Sequence, residues 1–165
     1  MGRLWRAVLS IVVAVLVSPP VWSRPMDGRL GLGGEVGTGP LGGTLSVKYW
    51  VSDLGMQVLF GFNAVPTTSD SVGAREYRFA ARMLYALTRT RLTNLNVGVG
   101  LSMFIRDSDF EAQNPLWLEL LVAPEFHLND NFAVSAHLGL SIEFGSDPSY
   151  ATHSAGFGAG FHFYF

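Results

Sequence analysis

Cysteine is absent from the 165 residues, which excludes disulfides, thiolate nucleophiles and cysteine metal sites. Charge is scarce: 15% of the residues are charged, where a globular domain carries about a quarter. The formal net charge is only −2, and no run of Lys and Arg supplies the basic face that nucleic acid needs. Long apolar runs are missing too, since after Val17 no stretch approaches the ~20 residues of a membrane helix. What is present is 48% apolar residues, 19 glycines and 12 phenylalanines. That balance excludes a disordered chain, which is polar and poor in aromatics. The hydrophobicity is dispersed, and its spacing carries the information.

The first 23 residues read as a secretory signal peptide. Arg3 and Arg6 form a positive start, and Ala7 to Val17 an apolar stretch of 11 residues. Pro19 and Pro20 then end any helix before the small-residue site at Val21-Trp22-Ser23. Eleven residues are too few to anchor the chain across hydrocarbon. The expected mature chain, 24–165, keeps nine basic and 13 acidic residues, a net charge of −4.

From residue 30 onward, apolar residues recur every second position, the spacing of a strand with one apolar face. Eight such segments are expected, near Leu30–Thr38, Gly43–Ser52, Gly55–Ala64, Glu76–Leu87, Asn94–Arg106, Leu116–Leu128, Phe132–Phe144 and Ser154–Phe165. Within these bounds every strand charge falls on the non-apolar face, which is otherwise largely Gly, Ala and Ser. Short turns at Asp53-Leu54 and Asn129-Asp130-Asn131 alternate with longer polar loops at Val65–Arg75, Asp107–Pro115 and Gly145–His153. Two connections break the rhythm: Gly39–Gly42 is short where a long loop is due, and Thr88–Thr93 is long for a turn.

A soluble barrel such as a lipocalin also alternates, but with its apolar side inward and a charged exterior. Some nine charged residues over eight strands cannot coat such an exterior. They suit the narrow interior of a barrel whose outside lies in lipid. Strand length, even strand number and apolar-out alternation all fit an all-β, eight-stranded, antiparallel, up-and-down transmembrane barrel. Aromatic girdles complete the pattern, with Tyr49, Tyr85, Phe126, Phe132 and Phe163 near one rim and Phe62, Tyr77, Phe144 and Phe157 near the other.

The eight segments, the short-turn and long-loop rhythm and the terminal run Gly160-Phe161-His162-Phe163-Tyr164-Phe165 resemble the small bacterial outer-membrane barrels of the OmpA and OmpX type. The resemblance covers essentially the whole mature chain. It implies location in the cell outer membrane, contact with outer-membrane lipids and lipopolysaccharide, and a monomer with both termini in the periplasm. Phe161, Phe163 and Phe165 look like the signal that the barrel-assembly machinery reads in a last strand. A structural or surface-interaction role is implied, with no cofactor and no enzymatic activity.

The inward charges are expected to form a packed lumen network of Glu35, Lys48, Arg78, Arg82, Arg106, Glu119, His137 and Glu143, paired across the barrel because an unpaired buried charge is costly. Arg78, Arg106, Glu119 and Glu143 are placed toward the outer end, and Glu35, Lys48, Arg82 and His137 near mid-depth. Gly156, Gly158 and Gly160 are expected to leave room for Arg78 and Arg82. Trp50 and Trp117 read as lumen packing, and Glu76 and Glu125 also point inward. The alternatives are a narrow channel and a lipid A deacylase or acyltransferase using His137, Ser141 and Glu143. Four residues of strand separate His137 from Ser141 by about 13 Å, too far for direct contact. His127, His137 and His162 lack metal-ligand spacing, whereas Asp107, Asp109 and Glu111 in the third loop could meet a divalent cation.

Overall fold

The structure is a computed structural model that describes residues 26–38, 43–65, 74–107, 115–144 and 153–165. Among them, eight antiparallel strands follow one another into a closed barrel: β1 (Leu30–Gly37), β2 (Thr44–Val51), β3 (Leu54–Val65), β4 (Ala74–Arg89), β5 (Thr93–Asp107), β6 (Leu116–His127), β7 (Phe132–Phe144) and β8 (His153–Tyr164). Every expected segment is a strand, with ends displaced by two residues at most. β1 pairs with β8 as well as with β2, so no strand edge is left open. In hydrocarbon an open edge would cost several kcal/mol per unsatisfied group. Both ends of the described chain lie at the barrel end that carries the short turns, here the turn end; the opposite end is the loop end.

The two faces separate as the alternation requires. Leu32, Val47, Val58, Leu101, Leu120, Leu138 and Phe161 stand exposed on the outside, while Lys48, Gln57, Arg82, Ser102 and Glu119 are buried within. That exterior is apolar where a soluble barrel is charged, and it matches a lipid-facing belt. Both aromatic girdles sit where expected, and Phe132 packs on Phe163 with ring centroids 4.7 Å apart. Leu101 lies at mid-strand, 51% exposed. Leu101→Arg is therefore expected to cost about 2–4 kcal/mol, read as a lowered urea midpoint for the barrel in lipid vesicles.

Two local features depart from the sequence reading. First, the turn between β4 and β5 is short after all, because both strands run past the last apolar position and leave only Thr90, Arg91 and Leu92 between them. Thr90 Oγ1 closes it by accepting the Leu92 and Thr93 N–H groups. Alternation could not see this, since Thr and Arg at a strand end keep pairing after the apolar pattern stops.

Second, the register between β4 and β5 shifts between Ala86 and Thr88, leaving Leu87 as a bulge. A bulge inserts one residue and re-aims the side chains beyond it. Arg89, which strict alternation would send outward, turns into the barrel, and its guanidinium lies 4.7 Å from the Trp50 ring centroid. Pro124 sits inside β6 with no N–H to give. The β6–β7 ladder accordingly skips from Val122↔Leu138 to Glu125↔Ser135 without changing register. The connection 39–42 lies outside the described residues.

Candidate functional site

The inward side chains stack in three layers. At the turn end, Trp50 and Tyr164 are fully buried and pack with Met26, Leu84, Ala86, Leu121, Ala123 and Ala133. Each ring needs a bare facing wall: a Cβ on Gly55 would lie 2.8 Å from the Trp50 ring, and one on Gly31 would lie 2.7 Å from that of Tyr164. Tyr164 donates its hydroxyl to Glu125 Oε1 at 2.8 Å, and Lys48 Nζ donates to the same oxygen at 3.0 Å. Lys48 on β2 and Glu125 on β6 thus meet across the whole lumen. His127 and His162 flank the tyrosine ring, with centroids 5.9 and 6.0 Å away.

The middle layer centres on Arg82. Its Nε and Nη2 donate to the two oxygens of Glu119 at 2.8 and 3.1 Å, and Nη1 donates to Glu35 Oε2 at 2.7 Å. One guanidinium therefore ties β4 to β6 and β1, using the fork geometry that lysine lacks. Gln57 donates to Glu35 Oε1 and to Ser46 Oγ, and His137 Nδ1 lies 3.8 Å from Glu35. Burial is nearly complete here, with Arg82 3% and Glu35 5% exposed. The layer crosses the bore.

Toward the loop end the interior opens. Arg78 pairs with Glu76 and lies over the Phe104 ring at 5.7 Å, and Phe104 meets Trp117 edge-on at 6.5 Å. These side chains and Glu143 are half-buried. Arg106 is opposite Glu76 in the backbone register, and Glu143 is opposite Trp117.

Seven of the eight network residues of the sequence reading point inward, Arg106 holds the register position opposite Glu76, and the grouping differs from the expected one. Glu119 belongs to the middle layer with Arg82, and Lys48 to the turn-end layer with Glu125. Closing a barrel staggers neighbouring strands, so depth counted along each strand separately goes astray. The glycines of β8 do not make room for Arg78 and Arg82. A Cβ on Gly158 would strike the His137 imidazole at 2.3 Å, and one on Gly160 would meet Glu35 Cγ at 2.8 Å, whereas Arg82 fits against Gly100 on β5. Side chains lean onto the adjacent strand, about 5 Å away, before they reach across the lumen. Glu125, His162 and Tyr164 join the network beyond the expected eight. Their inward parity was readable, but only the register places them beside Lys48.

The catalytic candidates are separated. Ser141 faces Glu119 in the register, while His137 turns to Glu35. The serine–histidine hydrogen bond that does form joins Ser46 Oγ to His162 Nε2 at 2.8 Å, with Glu125 Oε1 3.9 Å from Nδ1. Ser46 is enclosed, and a nucleophile must reach its substrate. No group of three or more His, Asp or Glu side chains with the geometry to hold a metal ion occurs among the described residues. Asp109 and Glu111 lie outside those residues.

No protein-family profile matches the chain, and none of the curated proteins matches it in sequence. Solved structures do match in shape. The N-terminal β-barrel domain of Pseudomonas aeruginosa OprF is 17% identical with a TM-score of 0.53, over 83% of this chain and 98% of that one. Ail, the attachment invasion locus protein of Yersinia pestis, solved with the heparin analogue sucrose octasulfate, is 15% identical with a TM-score of 0.50, over 85% of this chain and 100% of that one. The fold is that of the small outer-membrane barrels. An outer-membrane barrel of eight strands has an interior that side chains can fill, and here the Arg82 and Lys48–Glu125 layers occupy it.

Proposed function

We propose that the chain is an integral outer-membrane barrel with a structural or surface-interaction role, whose lumen is a stabilising core and not a path. The observation that carries this reading is the buried middle layer, in which Arg82, Glu35 and Glu119 bridge β4, β1 and β6 through the bore. The turn end faces the periplasm and the loop end the exterior, where the longer connections meet lipopolysaccharide and surface partners. The leader 1–23 is removed on export. Phe161 and Phe163 stand on the lipid face of β8, and Phe165, one residue past its end, is exposed beside them, available to the assembly machinery, and the barrel acts as a monomer. No catalytic role is assigned, because the Ser46–His162 pair has no route to a lipid substrate.

The test is migration and conductance. The membrane-extracted protein should run faster on a gel unheated than boiled, and planar bilayers containing it should show no single-channel steps. Release of folded protein without detergent would overturn the membrane reading. Steps that change in Arg82→Ala would favour the narrow channel. Lipid A mass changes on expression, lost in Ser46→Ala, would favour an enzyme.

A further inference from the structure

We propose that residues 26–29 form a cork that seals the turn-end mouth of the lumen, and that its seating, not the strand ladder, keeps water from the Lys48–Glu125 pair. Met26 lies outside the strands, yet it is fully buried in the cluster that holds Trp50, Ala86, Ala133 and Tyr164. Met26 precedes the first strand and has no ladder partner of its own, so the turn and side chains around it hold it there. Gly28 N–H donates to the Trp50 carbonyl at 2.9 Å and Trp50 N–H to the Arg29 carbonyl at 3.2 Å, prolonging the β1–β2 pairing, while Arg29 N–H donates to the Met26 carbonyl at 3.1 Å and closes a turn. Gly28 takes φ +72° in that turn, a conformation that costs glycine little.

Side chains fasten the same segment around the rim. Asp27 Oδ1 accepts the Ser52 N–H at 2.7 Å in the β2–β3 turn. Arg29 donates from Nη1 to the Asp130 carbonyl in the β6–β7 turn at 2.8 Å, and from Nη2 to the Tyr164 carbonyl at 3.3 Å. The cork is thus pinned to two hairpin turns and the last strand. The Trp50 and Tyr164 rings share that cluster with Met26, and the Tyr164 hydroxyl bonds the Glu125 carboxylate that holds Lys48.

Gly28 and Arg29 prolong the β1–β2 pairing, but Met26 and Asp27 are held by contacts outside the ladder. Segments of that kind open locally at a free energy below that of global unfolding. The cork is therefore a device that can lift while the barrel stays closed, exposing the turn-end layer to the periplasm. This extends the reading of a filled lumen and uses it for orientation.

The chain's lack of cysteine makes single-cysteine reporters clean. In the refolded mature chain, Ala86→Cys reports the layer under the cork, and Ala80→Cys reports the lumen beyond Arg82. A membrane-impermeant maleimide should label Ala86→Cys slowly. Adding Met26→Gly should raise that rate by about tenfold or more, and Met26→Leu should leave it slow. Ala80→Cys should label equally slowly in both backgrounds. The gel shift on heating shows that each variant is folded, and Ala133→Cys replaces Ala86→Cys if the latter does not fold. An Ala86→Cys rate that is fast with Met26 in place, or unchanged by Met26→Gly, overturns the cork. Bilayer recordings of Met26→Gly should remain silent, because the Arg82 layer still crosses the bore. Steps there would overturn the filled-lumen reading while leaving the cork standing.

Discussion

Arg82→Met is expected to destabilise the barrel by about 3–5 kcal/mol, the range for removing one partner of a buried ion pair. Methionine keeps much of the stem and removes the guanidinium, leaving Glu35 and Glu119 facing each other with little water to solvate them. The sign of the remedy separates electrostatics from packing. If the loss comes from stranded carboxylates, combining Arg82→Met with Glu35→Gln and Glu119→Gln should recover most of it, since a neutral replacement of a buried ionic triad is often tolerated. Arg82→Lys should fall between the two, because an ammonium cannot donate to both oxygens of Glu119 while holding Glu35. Urea unfolding in lipid vesicles reads all three variants against the unaltered chain. A loss under about 1 kcal/mol for Arg82→Met would place this layer among ion pairs that contribute little, and the filled-core reading would lose its main support.

The fold was legible because lipid enforces alternation so strictly. Each outward position must be apolar, and the eight stripes marked eight strands before any pairing was known. What stayed hidden depends on register. The bulge at Leu87 leaves no trace in an apolar pattern that ends there, so the inward turn of Arg89 onto Trp50 could not be anticipated. Glu125 was visibly inward, but its meeting with Lys48 needs the stagger accumulated over four strands. Tyr164 falls on the inward face of the terminal aromatic run, but nothing in the run itself shows that its hydroxyl meets Glu125. Met26, an apolar residue in a polar connector, carries no periodic signal at all.

Gly33→Ala and Gly34→Ala, one residue apart, should have opposite fates. Gly33 faces the lumen, in register with His162 on β8 and Ser46 on β2. The 2.8 Å His162–Ser46 hydrogen bond therefore spans β1 at Gly33. A Cβ there would lie 1.7 Å from the Phe161 carbonyl oxygen and 3.0 Å from the His162 Cα. Both are backbone atoms, so no rotamer change relieves the overlap and the β1–β8 seam itself must part. Since that seam closes the barrel, the expected cost is about 3 kcal/mol or more, above the usual range for overpacking. The folded, fast-migrating band should be largely lost on refolding. Gly34 faces the other way, toward lipid, and a Cβ there would meet the Thr44 carbonyl at 3.3 Å and the Phe161 ring edge at 3.6 Å. A shift of a few tenths of an ångström accommodates it, so Gly34→Ala should fold with a change of about 1 kcal/mol or less. Equal folding of both variants would mean that the seam is looser than its register implies.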